Sequence, residues 1–247
     1  MLAHRVIPIL LHRGHQLVKG KRFDSWRSVG HALQAARVHN QRGVDELVML
    51  DIGATPEGRG PDLAMVEALA NDCFMPLTVG GGVRSTKHVR QLLDAGADKI
   101  AICTGVCEVP ELIEECSAFY GCQAIVVAVD VGYGNTTMIR GGKQHWSHHP
   151  DQYAQFAERH GAGEILLTSI DREGTMEGYD LELIRAVSEA VDIPVIANGG
   201  CSGPEDMVNA IKAGASACAA GALFQFTDHT PRDCSRYLQE NGIEARV

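Results

Sequence analysis

The chain has 247 residues, of which 45% are hydrophobic and 21% charged, with a formal net charge of -9. That length and apolar content suit a single large core of the kind a closed α/β barrel buries. The acidic balance argues against nucleic acid or an anionic membrane as a partner, while leaving room for a small anionic ligand at a locally positive site.

Short apolar runs recur along the whole chain, at Arg5–Leu11, Glu46–Ile52, Pro76–Val79, Asp98–Cys103, Gln123–Asp130, Glu164–Ile170, Ile193–Ala197 and Ser216–Ala220. Each is rich in Val, Ile, Leu or Ala without polar alternation, the pattern of strands buried on both faces. Amphipathic stretches lie between them, among them Thr86–Asp94 and Pro204–Ala213, each followed or closed by an Ala-Gly-Ala stop. Eight strand–helix alternations predict a parallel (β/α)₈ barrel as one domain over residues 1–247, whereas six would have suggested an open doubly wound sheet.

The chain also repeats itself. Gly43–Ile52 matches Gly161–Ile170, Gly81–Thr86 matches Gly199–Pro204, and Ala95–Ala97 matches Ala213–Ala215, all at one offset. Three blocks in one register predict two half-barrels of four strands each.

Glycines stand at matched places in the two halves. Gly80, Gly81 and Gly82 follow a buried run and precede a helix; Asn198, Gly199 and Gly200 do the same in the second half. Glycine lets the backbone approach an anion, and a helix start offers free N–H groups. Gly221 and Ala222, after the last strand, sit where barrels often hold a phosphate, and Thr104 is placed to add a hydroxyl. Two such sites suggest a ligand with a phosphate at each end; one live site left from a duplication is the alternative.

Eight cysteines, none in a Cys-x-x-Cys pair, read as reduced thiols. No apolar run is long enough for a membrane span, and Val6–Leu11 is too short for a signal peptide, so a cytoplasmic protein is expected. His145, His148 and His149 surround Trp146 in a Gly-rich loop, but no fourth ligand follows at convincing spacing, so no metal is expected.

Taken in order, Arg5–Pro8, Val18–Gly20, Asp45–Asp51, Thr78–Gly82, Gly96–Lys99, Val126–Asp130 and Gly163–Asp171 resemble the cyclase subunit of imidazole glycerol phosphate synthase across essentially the whole chain. The resemblance implies no cofactor. It implies a glutaminase partner docked on the barrel floor, ammonia crossing the barrel interior, and a bisphosphorylated substrate at the opposite mouth. It implies that Asp130 is one of two acid–base aspartates, that Lys19 lies on a flexible basic loop closing over substrate, and that Asp51 contacts a sugar hydroxyl. Thr168 and Ser169 are the equivalent polar positions of the second half, and Gly174 belongs to the same substrate-facing set. Arg5, Glu46, Lys99 and Glu164 match the ring of ion pairs that gates ammonia entry, with Asp98 at the docking edge.

The chain also departs from that pattern. Leu11 stands where the second acid belongs, and a leucine exchanges no proton; His12, one residue on, points to the other side of a strand. Cys103 replaces an asparagine, Glu173 an aspartate and Gly221 a serine. Ile7–Leu11, Cys73–Pro76 and Ala219–Phe224 look more like a paralogous branch whose members accompany an amidotransferase installing amidino groups on bacterial surface sugars. The implied function is therefore an ammonia-conducting barrel acting on a phosphorylated or nucleotide-sugar acceptor. A genuine cyclase of histidine biosynthesis and a non-catalytic phospholigand-binding regulator are the alternatives.

Overall fold

The computed structural model describes residues 3–246; Met1, Leu2 and Val247 lie outside the described residues. Eight parallel strands close on themselves: β1 (Arg5–Arg13), β2 (Leu47–Asp51), β3 (Leu77–Gly80), β4 (Lys99–Ile102), β5 (Ile125–Gly132), β6 (Glu164–Ser169), β7 (Val195–Asn198) and β8 (Ala217–Ala220). Each pairs with the next, and β8 returns to β1 through the register Arg5↔Ala217 to Pro8↔Ala220, so no barrel strand is an edge. The helices behind them are α1 (Ala32–Gln41), α2 (Leu63–Asp72), α3 (Thr86–Asp94), α4 (Glu111–Tyr120), α5 (Pro150–Arg159), α6 (Leu181–Ser188), α7 (Pro204–Lys212) and α8 (Pro231–Glu240). The result is the (β/α)₈ barrel that the sequence predicts.

Helix starts follow local chemistry. Asp62, Ser85 and Asp180 each accept a hydrogen bond from a first-turn backbone N–H, and Thr230 with Asp233 forms a capping box. Pro150, Pro204 and Pro231 open α5, α7 and α8, where a missing N–H costs nothing.

Two cores result from the period of two along each strand. Outward residues such as Val6, Leu10, Met49, Ile100, Val127 and Leu167 pack under the helices. Inward residues fill the lumen: Ile7, Ile9, Leu11, Val48, Ala101, Val126, Ala128, Leu166, Ile196, Ala217 and Ala219 form one apolar cluster. Fully burying a large aliphatic side chain contributes about 1.5–3 kcal/mol, so this alternation fixes the register of every strand.

The half-barrel repeat extends to backbone detail. Gly81 and Gly199 both have positive φ, and a Cβ on either would run into the carbonyl oxygen at the end of the preceding strand in sequence, Asp51 and Ser169 respectively. Matched glycines thus meet matched backbone atoms.

Two hairpins stand at the mouth where the strands end. β1 runs on past the barrel into an antiparallel ribbon of Gln16–Lys21 and Asp24–His31, and β5 continues into Thr136–Ile139 and Gln144–His145. No helix among the described residues is long and apolar enough to cross a membrane.

Candidate active site and barrel floor

A cavity of about 240 Å³ opens at the C-terminal ends of the strands. Ile9, Leu11, Leu50, Ala101, Ala128 and Leu166 form its depth; Phe23 and Trp26 of the first hairpin reach over it, and Arg13 and Lys143 lie on its lining. Leu11 and Asp130 both face it. His12 is buried on the other face of β1, where its Nδ1 lies 2.9 Å from the Gly14 carbonyl. It cannot take the role of an acid at position 11, because β1 keeps its pleat as far as Arg13.

Asp130 is the titrating group of the site. Burial pushes its carboxyl up to about 7, hydrogen bonds from Cys103 and Thr168 hold it back, and the nearby Glu173 pushes it further up. Cys103 Sγ is 3.7 Å from Asp130 Oδ2. Burial first, and then the charge of Asp130, raise that thiol well above its usual range, so it stays protonated and donates. A carboxyl near 7 can give or take a proton at neutral pH.

The first glycine cradle is open. Gly81, Gly82 and Thr104 all line the cavity, and the Thr104 hydroxyl oxygen accepts from Arg140 N at 2.9 Å. Asp51 also lines it, but its oxygens are committed: Oδ1 accepts from Gly53 N and Ala54 N at 2.9 and 3.1 Å, and Oδ2 from Arg59 Nη1 at 3.2 Å. It caps its own loop. The second cradle brings Gly174, Gly199, Gly200, Gly221 and Ala222 together around a much smaller cavity of about 10 Å³. Thr168 lines the main cavity, whereas Ser169 turns to the opposite face and lines neither.

Lys19 differs from expectation. It lies on the strand Gln16–Lys21, not on a flexible loop, and is 2% exposed. Its Nζ is 3.7 Å from Glu173 Oε1 and lies where a Cβ on Gly221 would be. A side chain at 221 would displace that ammonium, which accounts for glycine there. Burial lowers the Lys19 pKa, partly offset by Glu173. The ribbon is pinned by Arg22 N donating to Glu173 O at 2.9 Å and by Gly174, whose positive φ and missing Cβ let Gly20 O approach.

At the other end of the lumen, four charges close the floor. Arg5 Nη1 is 2.6 Å from Glu46 Oε2 and 3.1 Å from Glu164 Oε1; Lys99 Nζ is 3.2 Å from Glu46 Oε1 and 3.1 Å from Glu164 Oε1. Thr78 Oγ1 donates to Glu46 at 2.9 Å. The charges cancel, and every member has two opposite partners. Asp98, exposed beside the ring, accepts from Leu77 N at 2.8 Å.

Asn198, Cys103, Glu173 and the roof of Phe23 and Trp26 complete the site. Asn198 was legible in principle, since counting by two from Ile196 places it inward. The roof was not, because it depends on the ribbon folding back. Among the described residues no His, Cys, Asp or Glu group could hold a metal; His149 instead pairs with Asp151 at 2.8 Å.

A closed (β/α)₈ barrel with a buried carboxyl at its C-terminal mouth and glycine turns around it has the layout in which barrel enzymes place their active sites. Residues 5–230 match the model of the histidine biosynthesis protein family, which includes isomerases and cyclases, and the chain belongs to that family.

Proposed function

We propose that this barrel is the ammonia-receiving subunit of a glutamine amidotransferase complex, and that the nitrogen amidates a surface-polysaccharide sugar. A glutaminase docks on the N-terminal face around Asp98, and NH₃ passes the ring of Arg5, Glu46, Lys99 and Glu164. It then follows the apolar lumen to an acceptor held near Asp130.

The observation that carries this reading is the ring. A buried ion-pair network is a poor way to stabilise a barrel floor, because desolvation offsets much of its attraction. An apolar plug would serve that purpose better. A neutral ring whose Lys99 swings aside makes a gate, and the dry layer above it favours neutral NH₃ over ammonium. Leu11 supports an acceptor other than the cyclase substrate, since one of the two acid–base groups is missing. Asp130 favours the genuine cyclase instead, as the retained half of that pair, and direct assay with ammonium salt separates the two readings.

Lys99→Ala in the complex is expected to uncouple glutamine hydrolysis from nitrogen delivery, while added ammonium salt still supports product formation. Unchanged coupling would remove Lys99 from the gate. Tight phospholigand binding without any nitrogen transfer would leave the regulatory reading.

A further inference from the structure

Phe74 and Phe119 are the two most exposed large apolar side chains among the described residues, each 86% accessible. Topology puts both at the N-terminal end of the barrel. Phe74 lies between the end of α2 and the start of β3, and Phe119 is in the last turn of α4, just before β5. The one helix–strand connection between them leads into β4 and carries Asp98, next to Lys99 of the ring. Both rings are held on fixed backbone. Phe74 N donates to Asn40 Oδ1 at 3.0 Å, and the helix bearing Phe119 is closed by Gly121 N donating to Ser117 O at 2.9 Å. Each aromatic ring carries about 150–250 Å² of surface that a partner could bury, and a side chain already placed loses less freedom on binding.

The floor is not sealed by the chain itself, since the side chains of Arg5 and Lys99 are 16% and 17% accessible. Charge narrows what can cover it. Asp98 is exposed and, among the described residues, pairs with no cation; its Oδ2 accepts from Leu77 N. A second copy docked floor to floor would bring the same carboxylate and a net charge of -9 against another of the same sign. An anionic membrane is repelled in the same way. The surface fits a different protein, one with apolar pockets for two rings and a positive charge between them.

We propose that Phe74 and Phe119 are the anchors of the glutaminase, each entering an apolar pocket of that subunit on either side of the gate. The proposal rests on the amidotransferase reading above and names the contact that holds its partner. Buried aromatic anchors carry much of the binding energy of an interface and exclude water around them, and a dry junction is what the handover of NH₃ requires.

Immobilised barrel is incubated with an extract of the source cells, washed, and assayed for glutamate released from glutamine. The wild type is expected to retain glutaminase activity. Phe74→Ser and Phe119→Ser are each expected to retain at least about tenfold less. Tyr133→Ser, at the opposite mouth and 74% exposed in the parent, is expected to match the wild type. Thermal midpoints report that all three variants fold. Equal retention by the wild type and both phenylalanine variants would overturn this proposal and leave the amidotransferase reading standing. No retention by the wild type would sink that reading and this one with it. Sedimentation of the barrel alone as a dimer that either phenylalanine substitution dissociates would assign the patch to a second copy and overturn the proposal.

Discussion

Asp130 and Leu11 face one cavity from two strands and divide the chemistry unequally. Burial raises Asp130 to about 7, so the folded state holds its proton at pH values where the unfolded chain has released it. The sign follows: native stability is favoured below the unfolded carboxyl range and is lost as pH rises from there through about 7. Asp130→Asn is therefore expected to stabilise the protein at pH 8, on the order of 2 kcal/mol, and to leave it nearly unchanged at pH 4. Thermal melts at the two pH values check this; an equal effect at both would mean that Asp130 is not perturbed. Leu11→Asp restores a second acid. It is expected to raise cyclase turnover with ammonium salt by about 10²–10⁴, read as imidazole product from the bisphosphorylated precursor. No gain would show that Cys103, Glu173 and Gly221 have reshaped the pocket beyond one missing acid. Both inward positions were legible from the period of two along their strands. The shift on Asp130 was not, because it arises first from burial in the closed barrel and then from Glu173, against the hydrogen bonds of Cys103 and Thr168, and separate segments of the chain set each of these.

The first ribbon shows where reading by element fails and why. The segment holding Lys19 reads as a flexible basic loop over a phosphate site, since Lys21 and Arg22 stand beside Lys19. Its strand character comes from pairing with the end of β1 on one side and with Asp24–His31 on the other, and the loop after β6 docks on it through Gly174. The barrel strands were legible because their burial on both faces leaves a continuous apolar run. The ribbon buries only Leu17, Val18 and Lys19 in a row, among exposed and half-buried residues, and leaves no such run. Gly174→Val is expected to undock it, since φ of 71° is unfavourable for a β-branched residue and the side chain would meet Gly20 O. Trypsin should then cut after Lys19, Lys21 and Arg22 at least about tenfold faster, because local opening sets cleavage when reclosing is fast. The barrel itself should lose only about 1–3 kcal/mol. Unaltered cleavage would mean that the ribbon is held by its own pairing and does not depend on this dock.

At the scale of the whole molecule, one end of the lumen is charged and closed, the middle is apolar, and the other end is open and carries the titrating carboxyl. The charged floor is the part whose purpose stability does not explain, and its energetics can be separated from its function. Glu46→Leu alone leaves Arg5 and Lys99 sharing the single carboxylate of Glu164, and breaking a buried network in this way costs about 3–5 kcal/mol. Adding Lys99→Leu removes the excess cation and keeps Arg5 on Glu164, 3.1 Å away. The double variant is expected to recover most of that loss in denaturant unfolding, because two leucines exchange a desolvated pair for packing. If the ring is kept for passage of ammonia, the double variant should fold about as well as the wild type. It should still turn over with ammonium salt and yet fail to deliver nitrogen from glutamine. A double variant that folds normally and delivers nitrogen normally would assign the ring no gating role; one that remains several kcal/mol less stable would make the ring a structural floor after all.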